Sequence, residues 1–443
     1  MERIAAMLGC SIGRLFQLTV AGGSYQEGMT SHLQGVPPGM LFTEEEIYSD
    51  LLLRKPGQDE LTSPRKEPDV PLIYSGVNVA DTMEGVTNAG LTNGTPFVIL
   101  IPNLDRHQIH IEQYRSSNRT PRPGHASYAS FMKYGACDDA IGAGIFSGRY
   151  TCTLVAAGVV AKRILKQHGI EVTGYIREAA GVCMPEIPLA TIRERVASFR
   201  QIRKQHDPVY QCIFGAERFK PGMRFLEKAA VLAEFWELLE QTQVAAPDEE
   251  AIRNEQGIHP KLNCPDLATA DAMYEKIIAV TNEGDSTGGQ VEVVATGLPA
   301  GMGEPIFSKL DGELGRMMSI AAVKAVEIGA GVRVKDMTGS QSNDQMRNEH
   351  GEVVFDSNNN GGVTGGLTTG QDLIVRLTVK PTPTIGKDQH TIDKLTKENA
   401  ALSAVTRRDP TIVPRVWPVA EALVSIILLD HYMQHLAYQG LWR

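Results

Sequence analysis

The chain has 443 residues, of which 42% are hydrophobic and 21% are charged, as expected for a globular protein with a large buried core. Its formal net charge of −9 argues against a nucleic-acid footprint over the whole surface, but it does not exclude a local cationic pocket for an anionic substrate. Six scattered cysteines without a CxxC pair argue against a disulfide scaffold and a cysteine metal site. They predict reduced, mostly buried thiols in a cytoplasmic protein.

The spacing of apolar residues predicts both strands and helices along the chain. Strands are predicted at residues 97–101, 291–295 and 373–379, and a strand followed by a glycine-rich loop is predicted within residues 11–35. Helices are predicted at residues 43–53, 151–168 and 313–326, and three glutamates suit the first turn of the first one. Polar, proline-containing loops are predicted at residues 54–69 and 115–124. Composition alone therefore indicates a mixed α/β protein.

Two further segments are predicted to be helical. Residues 192–256 are rich in Arg, Lys, Glu and Gln and carry apolar residues at helical spacing. They form either a surface helical hairpin without chemistry or a lid or oligomer contact. Residues 419–429 are the most apolar stretch, but Glu421 interrupts them and Asp430 follows, so they are too short and too charged to span a membrane. An amphipathic helix is predicted there, and the N-terminus shows no secretory signal.

The most specific pattern lies in the C-terminal half of the chain. Residues 283–289 read EGDSTGG and residues 297–305 read GLPAGMGEP, and further characteristic positions follow through residue 329. No simple helix or strand pattern requires this density of glycine, proline and acidic residues. Together the run closely resembles the core signature of the chorismate synthase family, and the likeness covers about residues 12–185 and 260–435.

The resemblance implies a fold and an activity. Members of the family are α/β (α+β) proteins, β-α-β sandwiches with antiparallel sheets around central helices, and they assemble as homotetramers. They are carbon-oxygen lyases of aromatic amino acid biosynthesis, in the shikimate pathway. They use reduced FMN for the 1,4-elimination of phosphate from 5-enolpyruvylshikimate 3-phosphate, an anionic small molecule, which gives chorismate. By this likeness residues 1–443 form one such domain with a helical insertion at residues 192–256. No GxGxxG dinucleotide fingerprint is found, so reduced flavin is expected from a separate flavin reductase.

Several segments resemble the flavin-binding parts of the family. Residues 358–370 contain five glycines, whose backbone N–H groups can approach an anion closely. Lys380 and Thr384 match the lysine and hydroxyl that bind the flavin phosphate. On the same basis Ser147 and Ala322 are assigned to flavin binding.

The segment RRDP at residues 407–410 resembles the Arg-His-Asp-Pro motif of the family, in which the arginine contacts substrate and the aspartate lies near the flavin N5. Arg407 and Asp409 match, and Asp409 is therefore assigned both to the flavin and to catalysis. A carboxylate there can manage the proton that the flavin accepts and returns. The competing interpretation makes Asp409 a helix N-cap before Pro410.

The N-terminal half supplies the remaining candidates. Residues 122–128 (RPGHASY) are very like the family's Arg-Pro-Gly-His-Ala-Asp block, whose histidine lies against the flavin and transfers a proton. The resemblance assigns anion binding to four arginines, Arg54, Arg122, Arg149 and Arg407. It assigns catalysis to His125, Asp409, Ser24 and Tyr25, the last two for contact with the phosphate. No metal site is predicted.

Four positions near the predicted pocket depart from the family pattern. Histidine, arginine, aspartate and glutamate are replaced by Tyr25, Glu60, Ser127 and Tyr150, respectively. A phenol has a pKa near 10, against about 6.5 for imidazole, and cannot carry positive charge. Arg65 and Lys66 are nearby cations that can compensate. Two alternatives therefore stay open beside a chorismate synthase. One is a divergent paralogue that eliminates from another cyclic phosphate or hydroxy acid, and the other is a non-catalytic flavin-binding protein.

Overall fold

Strands and helices are mixed along the chain in the computed structural model, which describes residues 9–63, 65, 67–105, 108–220, 223–239, 247–404 and 408–442. The strands are β1 (Ser11–Ile12), β2 (Gln17–Gly22), β3 (Gly28–Gln34), β4 (Leu72–Ser75), β5 (Phe97–Pro102), β6 (Glu171–Ala179), β7 (Val182–Cys183), β8 (Gly289–Thr296), β9 (Val323–Ile328), β10 (Met346–Glu349), β11 (Glu352–Phe355), β12 (Val363–Thr364), β13 (Leu367–Thr368), β14 (Leu373–Val379), β15 (Gln389–Ile392) and β16 (Asn399–Leu402). The helices are α1 (Glu44–Arg54), α2 (Gln108–Ser117), α3 (Ser127–Tyr134), α4 (Thr151–Gln167), α5 (Leu189–Gln205), α6 (Phe225–Leu239), α7 (Glu249–Gln256), α8 (Leu267–Asn282), α9 (Leu310–Leu314), α10 (Gly339–Ser342) and α11 (Val413–Trp442).

Two five-stranded antiparallel sheets form the outer layers. The first has the order β1-β2-β3-β5-β4 and the second has the order β7-β6-β8-β14-β9. Along β3 the side chains of Met29, Ser31 and Leu33 are buried, whereas His32 and Gln34 are exposed. This alternation arises because successive side chains of a strand point to opposite faces, and it fixes which face of the sheet meets the core.

Helices α4 and α11 fill the space between the sheets. Helix α4 packs on β3 and β5, and α11 packs on β6 and β8 as well as on α4 itself. The two helices come close at Gly158, where an added Cβ would lie only 2.3 Å from the Cβ of Ala422. The run of small residues in α4 therefore permits a close helix crossing. The result is a β-α-β sandwich of antiparallel sheets around central helices, as the resemblance implied.

The central position of α11 corrects one prediction. Residues 419–429 are all buried, so this part of the helix is not amphipathic. Its one acidic side chain, Glu421, is 1% exposed and is neutralised by Lys162 and Arg200, and it accepts a hydrogen bond from the backbone of Gly174 at 2.7 Å. No helix of the described residues is long and apolar enough to cross a membrane.

The helix predicted at residues 313–326 is also wrong. Helix α9 ends at Leu314, a 3₁₀ turn covers Gly315–Ser319, and strand β9 begins at Val323. Ala322 has a left-handed backbone (φ 69°), which ends any helical run, and β9 then pairs with β14. The loop predicted at residues 115–124 is wrong in part, because α2 extends to Ser117. The other predicted strands and helices are confirmed in β2, β3, β5, β8, β14, α1 and α4.

Residues 192–256 are largely helical where they are described, in α5, α6 and α7. Their status as an insertion within a single domain stays a prediction.

The cysteine side chains are less buried than predicted, because Cys10, Cys137 and Cys183 are exposed and only Cys152 and Cys264 are fully buried. No group of metal-binding side chains occurs among the described residues.

Candidate active site

Asp69 occupies the centre of a buried charge cluster. Its carboxylate is 0% exposed, and it accepts a hydrogen bond at 2.7 Å from Arg54, the last residue of α1. Its second oxygen contacts Arg149, which stands in the 3₁₀ turn that leads into α4. Burial alone would raise the pKa of Asp69, but Arg149 and Arg54 outweigh it and hold the pKa below its usual range. The carboxylate is thus ionised, and both guanidinium groups are fixed by it.

The same arginines organise the surrounding backbone. Arg54 donates to the carbonyl of Gly148 at 3.2 Å and to the hydroxyl of Thr151 at 3.1 Å. Arg149 donates through Nε to Asn103 Oδ1 at 2.7 Å, and the amide nitrogen of Asn103 donates to the carbonyls of Gly23 and Gln26. The loop between β2 and β3, which carries Ser24 and Tyr25, is therefore tied to the charge cluster.

Arg65 completes this end of the site. It donates to the hydroxyl of Ser24 at 3.1 Å and to the Ser24 carbonyl at 3.3 Å, and its guanidinium lies 5.2 Å from the ring centroid of Tyr25. A carboxylate oxygen of Glu67 accepts from it at 2.8 Å. The predicted phosphate-contacting pair thus has a cation at its side. Lys66, the other candidate for compensation, lies outside the described residues.

A second cluster contains His125, Arg122, Lys380 and Thr384. Lys380 donates to the carbonyl of Gly124 at 2.5 Å, and Arg122 lies 3.5 Å from the hydroxyl of Thr384. In the described part of the chain neither cation has a carboxylate partner. The Nδ1 atom of His125 is buried and has no hydrogen-bond partner among these residues. Burial, with the charges of Arg122 and Lys380, lowers the pKa of His125 to about 4.

Asp409 is connected to the first cluster through Arg415. Its carboxylate is 3.4 Å from Arg415, whose Nε donates to the carbonyl of Arg54 at 2.9 Å. Burial and the charge of Arg54 lower the pKa of Arg415 to about 10, so it is still a cation near neutral pH. Helix α11 begins only at Val413, so the interpretation of Asp409 as its N-cap is wrong. Arg407 lies outside the described residues.

The signature at residues 283–289 supports these segments from behind. Ser286 donates to the carbonyl of Thr382 at 2.8 Å, and the Thr382 hydroxyl donates to the carbonyl of Asp409 at 2.8 Å. The amide of Thr287 donates to the carbonyl of Pro410. At Gly288 an added Cβ would lie 2.4 Å from the carbonyl oxygen of Val379, which explains the need for glycine there. The motif therefore holds the segment after β14 against the start of α11.

Ser147 and Ala322 hold backbone that borders the site. Ser147 accepts from the amide of Arg149 at 3.2 Å and so caps the turn before α4. Ala322 accepts a hydrogen bond from the amide of Lys380 at 3.0 Å. Tyr150 joins the two regions, because its hydroxyl donates to Ser319 at 2.6 Å and accepts from the amide of Ala321 at 3.0 Å.

Two further departures from the family pattern are engaged in contacts of their own. Glu60 is exposed, pairs with Lys261 at 2.8 Å and accepts a hydrogen bond from Tyr274. The hydroxyl of Ser127 accepts from the amide of Arg122 at 3.0 Å. Of the four departures, Tyr25 alone contacts Arg65 in the described residues.

The start of the glycine-rich loop at residues 358–370 is engaged by side chains of the protein itself. The carboxylate of Asp344 accepts hydrogen bonds from the amides of Asn359 and Asn360, at 2.7 and 2.9 Å, and Asn358 accepts from the amide of Gly362 at 2.7 Å. The amides of Asn359 and Asn360 therefore bind a carboxylate of the protein itself, and the amide of Gly362 binds a neutral side chain. This loop stabilises the region before β14 through internal contacts.

Sequence reasoning missed Asp69, Asn103 and Arg415 as parts of the site. Asp69 stands at the end of the predicted loop, with a left-handed backbone (φ 55°), and only its distant partners reveal its role. A depression of about 550 Å³ lies beside the signature, but none of the predicted catalytic side chains is among the residues that line it. The polar clusters described above are therefore the better candidate for the site.

Comparison with known proteins agrees with this geometry. The sequence model of one family, described as chorismate synthase, matches residues 16–433. A chorismate synthase of Methanosarcina acetivorans is 36% identical over 429 residues, covering 97% of each chain. The chain belongs to the chorismate synthase family. A relative of the same name in Acetivibrio thermocellus is 36% identical over 441 residues, covering 96% of this chain and 94% of that one. A crystal structure of chorismate synthase shares the fold, with a TM-score of 0.62 at 23% identity over 96% of this chain and 94% of that chain.

Membership in the chorismate synthase family makes the chain a lyase and implies a reduced flavin cofactor. The residues present fit such a group. Arg122 and Lys380 form a cationic patch without a carboxylate partner in the described residues, which suits an anionic group of a ligand. The orphaned Nδ1 atom of His125 lies beside that patch and offers a hydrogen-bonding group to a ligand.

Proposed function

We propose that the chain catalyses the 1,4-elimination of phosphate from 5-enolpyruvylshikimate 3-phosphate, which gives chorismate, and that its flavin is FMN. The observation that carries this proposal is the pairing of two unlike clusters. One is the cluster in which the carboxylate of Asp69 neutralises the charge of buried arginines. It orders the loops that carry Ser24 and Arg65. The other is the cationic patch of Arg122 and Lys380, which lies beside a neutral His125. This patch can bind an anion, because neither cation has a carboxylate partner in the described residues.

The substrate is anionic at its phosphate and carboxylates, and the site offers several cations to it. Tyr25 contacts the phosphate in this proposal. Ser24 is 0% exposed, so it acts by accepting from Arg65 at 3.1 Å, which holds that guanidinium, also paired with Glu67, beside the Tyr25 ring. Arg54 and Arg149 are only 1% and 4% exposed, so they contribute mainly positive potential and orient the neighbouring backbone. Arg122 and Arg407 complete the set of substrate arginines in this proposal.

His125 and Asp409 handle protons. In the reaction the C–O bond to phosphate breaks, a ring hydrogen leaves and a new ring double bond forms. When bound, reduced flavin supplies an electron transiently and accepts the hydrogen, so that there is no net redox change. His125 is neutral near pH 7 while Arg122 and Lys380 are uncompensated, because burial first and the charges of these two cations second lower its pKa to about 4. An anion on those cations offsets their charge and raises the pKa of His125 from this value, which favours proton uptake when ligands are present, while burial continues to favour the neutral ring.

The remaining assignments follow the same proposal. Lys380 and Thr384 hold the FMN phosphate, with Ser147, Ala322 and Asp409 around the ring system. The enzyme works in the cytoplasm as a homotetramer and receives reduced flavin from a separate reductase.

The contacts of the four departures weaken the argument for a divergent paralogue. It depends on four departures acting together in one pocket. Glu60 instead pairs with Lys261 at the surface, Tyr150 holds the backbone at Ser319, and Ser127 caps the amide of Arg122. Only Tyr25 remains as a change that faces the proposed phosphate position.

The test is an anaerobic assay with dithionite-reduced FMN and 5-enolpyruvylshikimate 3-phosphate, in which chorismate absorbance and released phosphate are followed together. We expect equal amounts of both products. His125→Ala should abolish turnover while it retains the fold, and His32→Ala, which changes an exposed histidine on β3, should be fully active. FMN binding without turnover by the parent protein would refute the proposed reaction. Full activity of His125→Ala would remove His125 from the mechanism.

A further inference from the structure

The helical segment after β7 contacts the loop that carries active-site residues. We call residues 55–69 the active-site loop, because Arg65 and Asp69 belong to it. Asp207, just after α5, contacts Lys55 and accepts a hydrogen bond at 2.9 Å from the hydroxyl of Tyr48. Arg203, on α5 itself, pairs with Asp59 at 2.6 Å. Lys261 pairs with Glu60 at 2.8 Å.

These ion pairs are shielded from solvent to different degrees. The side chains of Asp59 and Asp207 are each 4% exposed, and that of Lys55 is 8% exposed. Shielded pairs keep more of their Coulomb energy than exposed ones, and loss of one partner leaves a charge without compensation. Glu60 is 44% exposed, so its pair with Lys261 is the weakest of the three.

Two acidic residues of the loop pair with basic residues outside it. Asp59 and Glu60 stand where the chorismate synthase pattern has a small residue and an arginine. Both are satisfied by cations outside the loop, and Arg203 lies in the segment predicted to be an insertion. Arg203 and Asp207 of the predicted insertion therefore compensate Asp59 and Lys55 of the loop, and Lys261, which follows the insertion, compensates Glu60.

We propose that Arg203, Asp207 and Lys261 are positioning residues, named here the loop clamp, which hold the active-site loop so that Arg65 and Asp69 meet Ser24 and Arg54. The clamp touches neither of the proposed ligands. It acts on substrate affinity through Arg65, and in that respect it rests on the proposed function. The cluster of His125 and Lys380 makes no described contact with the clamp, so flavin affinity is independent of it.

The primary test is Arg203→Ala, with Arg193→Ala as the matched control. Arg193 lies on the same helix and pairs with Glu171 at 3.5 Å, away from the active-site loop. Hydrogen exchange is followed at the loop amides of Gly57 and Thr62, which donate to loop carbonyls at 2.8 and 3.2 Å. We expect exchange there to accelerate about tenfold in Arg203→Ala, as a charge-assisted contact that restrains the loop is lost, and not in the control.

Kinetics then separate positioning from general damage. In Arg203→Ala the KM for the phosphate ester should rise about tenfold, because a small displacement of binding groups is costly, while kcat and the Kd for FMN stay near their parent values. Arg203→Lys should recover most of the loss, and Glu60→Lys with Lys261→Glu should match the parent better than either single variant.

Two outcomes would overturn the proposal. One is unchanged exchange at Gly57 and Thr62 in Arg203→Ala. The other is an equal acceleration in β6, which would indicate general destabilisation. If the parent protein shows no turnover, the proposed reaction fails, whereas the exchange experiment still decides whether the clamp restrains the loop.

Discussion

Asp69→Asn is the substitution that tests the buried charge cluster most directly. Asparagine keeps nearly the same shape and tolerates the left-handed backbone at this position (φ 55°), so the change removes charge with little added strain. It leaves Arg54 and Arg149, which are 1% and 4% exposed, without their shared carboxylate. Removing one member of a buried ion pair typically costs about 3–5 kcal/mol, because the remaining charge is left uncompensated in the interior.

That free energy converts into a measurable shift in melting temperature. Unfolding entropy is about 2.1 cal/mol/K per residue near 60 °C, so a chain of 443 residues loses about 1 °C for each kcal/mol. We therefore expect Asp69→Asn to melt about 3–5 °C below the parent at pH 7. The matched control is Asp336→Asn, whose carboxylate is 72% exposed and pairs with Lys335, and it should melt within about 0.5 °C of the parent.

The pH dependence gives the second arm of the assay. The folded-state pKa of Asp69 is lower than its unfolded value, so its ionisation stabilises the fold above about pH 4, and this contribution is lost as pH falls through the folded-state pKa. The difference in stability between parent and variant should therefore become smaller at acid pH, in calorimetric melting or in urea unfolding. A variant that melts within 1 °C of the parent at pH 7 would show that this carboxylate does not hold the two arginines.

Three further substitutions probe the second cluster and its support. Lys380→Ala should weaken FMN binding by about 10- to 100-fold in a fluorescence titration, since it removes a charge-assisted contact to phosphate. Tyr150→Phe removes the two hydrogen bonds to Ser319 and Ala321, and it should cost about 1–2 kcal/mol in urea unfolding. His125 has a pKa of about 4 in the folded protein and near 6.5 in the unfolded chain, so the unfolded state binds more protons between these two pH values. The free energy of unfolding therefore decreases as pH falls through this range. His125→Gln should remove up to about 3 kcal/mol of that decrease.

Each of these expectations has a result that contradicts it. Lys387→Ala is the control for Lys380, because Lys387 is an exposed lysine paired with Asp285, and equal FMN affinity of the two variants would place the phosphate elsewhere. Parent-like urea unfolding of Tyr150→Phe would show that the backbone at Ser319 finds other partners. An NMR titration that places the pKa of His125 near 6.5 in the ligand-free protein would contradict its burial beside two cations.

Local signals predicted those elements whose partners lie nearby in sequence. The start of α1 is an example, because Thr43 accepts a hydrogen bond from the amide of Glu46 and three glutamates fill the first turn. Strands β5, β8 and β14 were predictable because their apolar runs are short and bounded. Strand β9 was not, because its conformation depends on pairing with β14, about fifty residues further along the chain.

The candidate site shows the same limit. The resemblance indicated which residue types belong there, but not which of them neutralise one another. Asp69 and Arg149 are 80 positions apart, and Glu60 and Lys261 are 201 positions apart. A negative charge at Glu60 therefore looked like a change in the pocket, although its carboxylate points to the surface. Charge pairing of this kind is set by the packing of elements, which no local pattern encodes.

Helix α11 has a consequence for how the protein is made. It packs directly on β6 and β8 and against α4, yet ribosomes synthesise it after every strand of both sheets. At about 5–20 residues per second, the apolar face of β6 waits on the order of tens of seconds for its partner, during which the nascent chain is prone to aggregate. Asp409 and Arg415 emerge with that same helix. Completion of the core and assembly of the candidate site therefore both depend on the synthesis of α11.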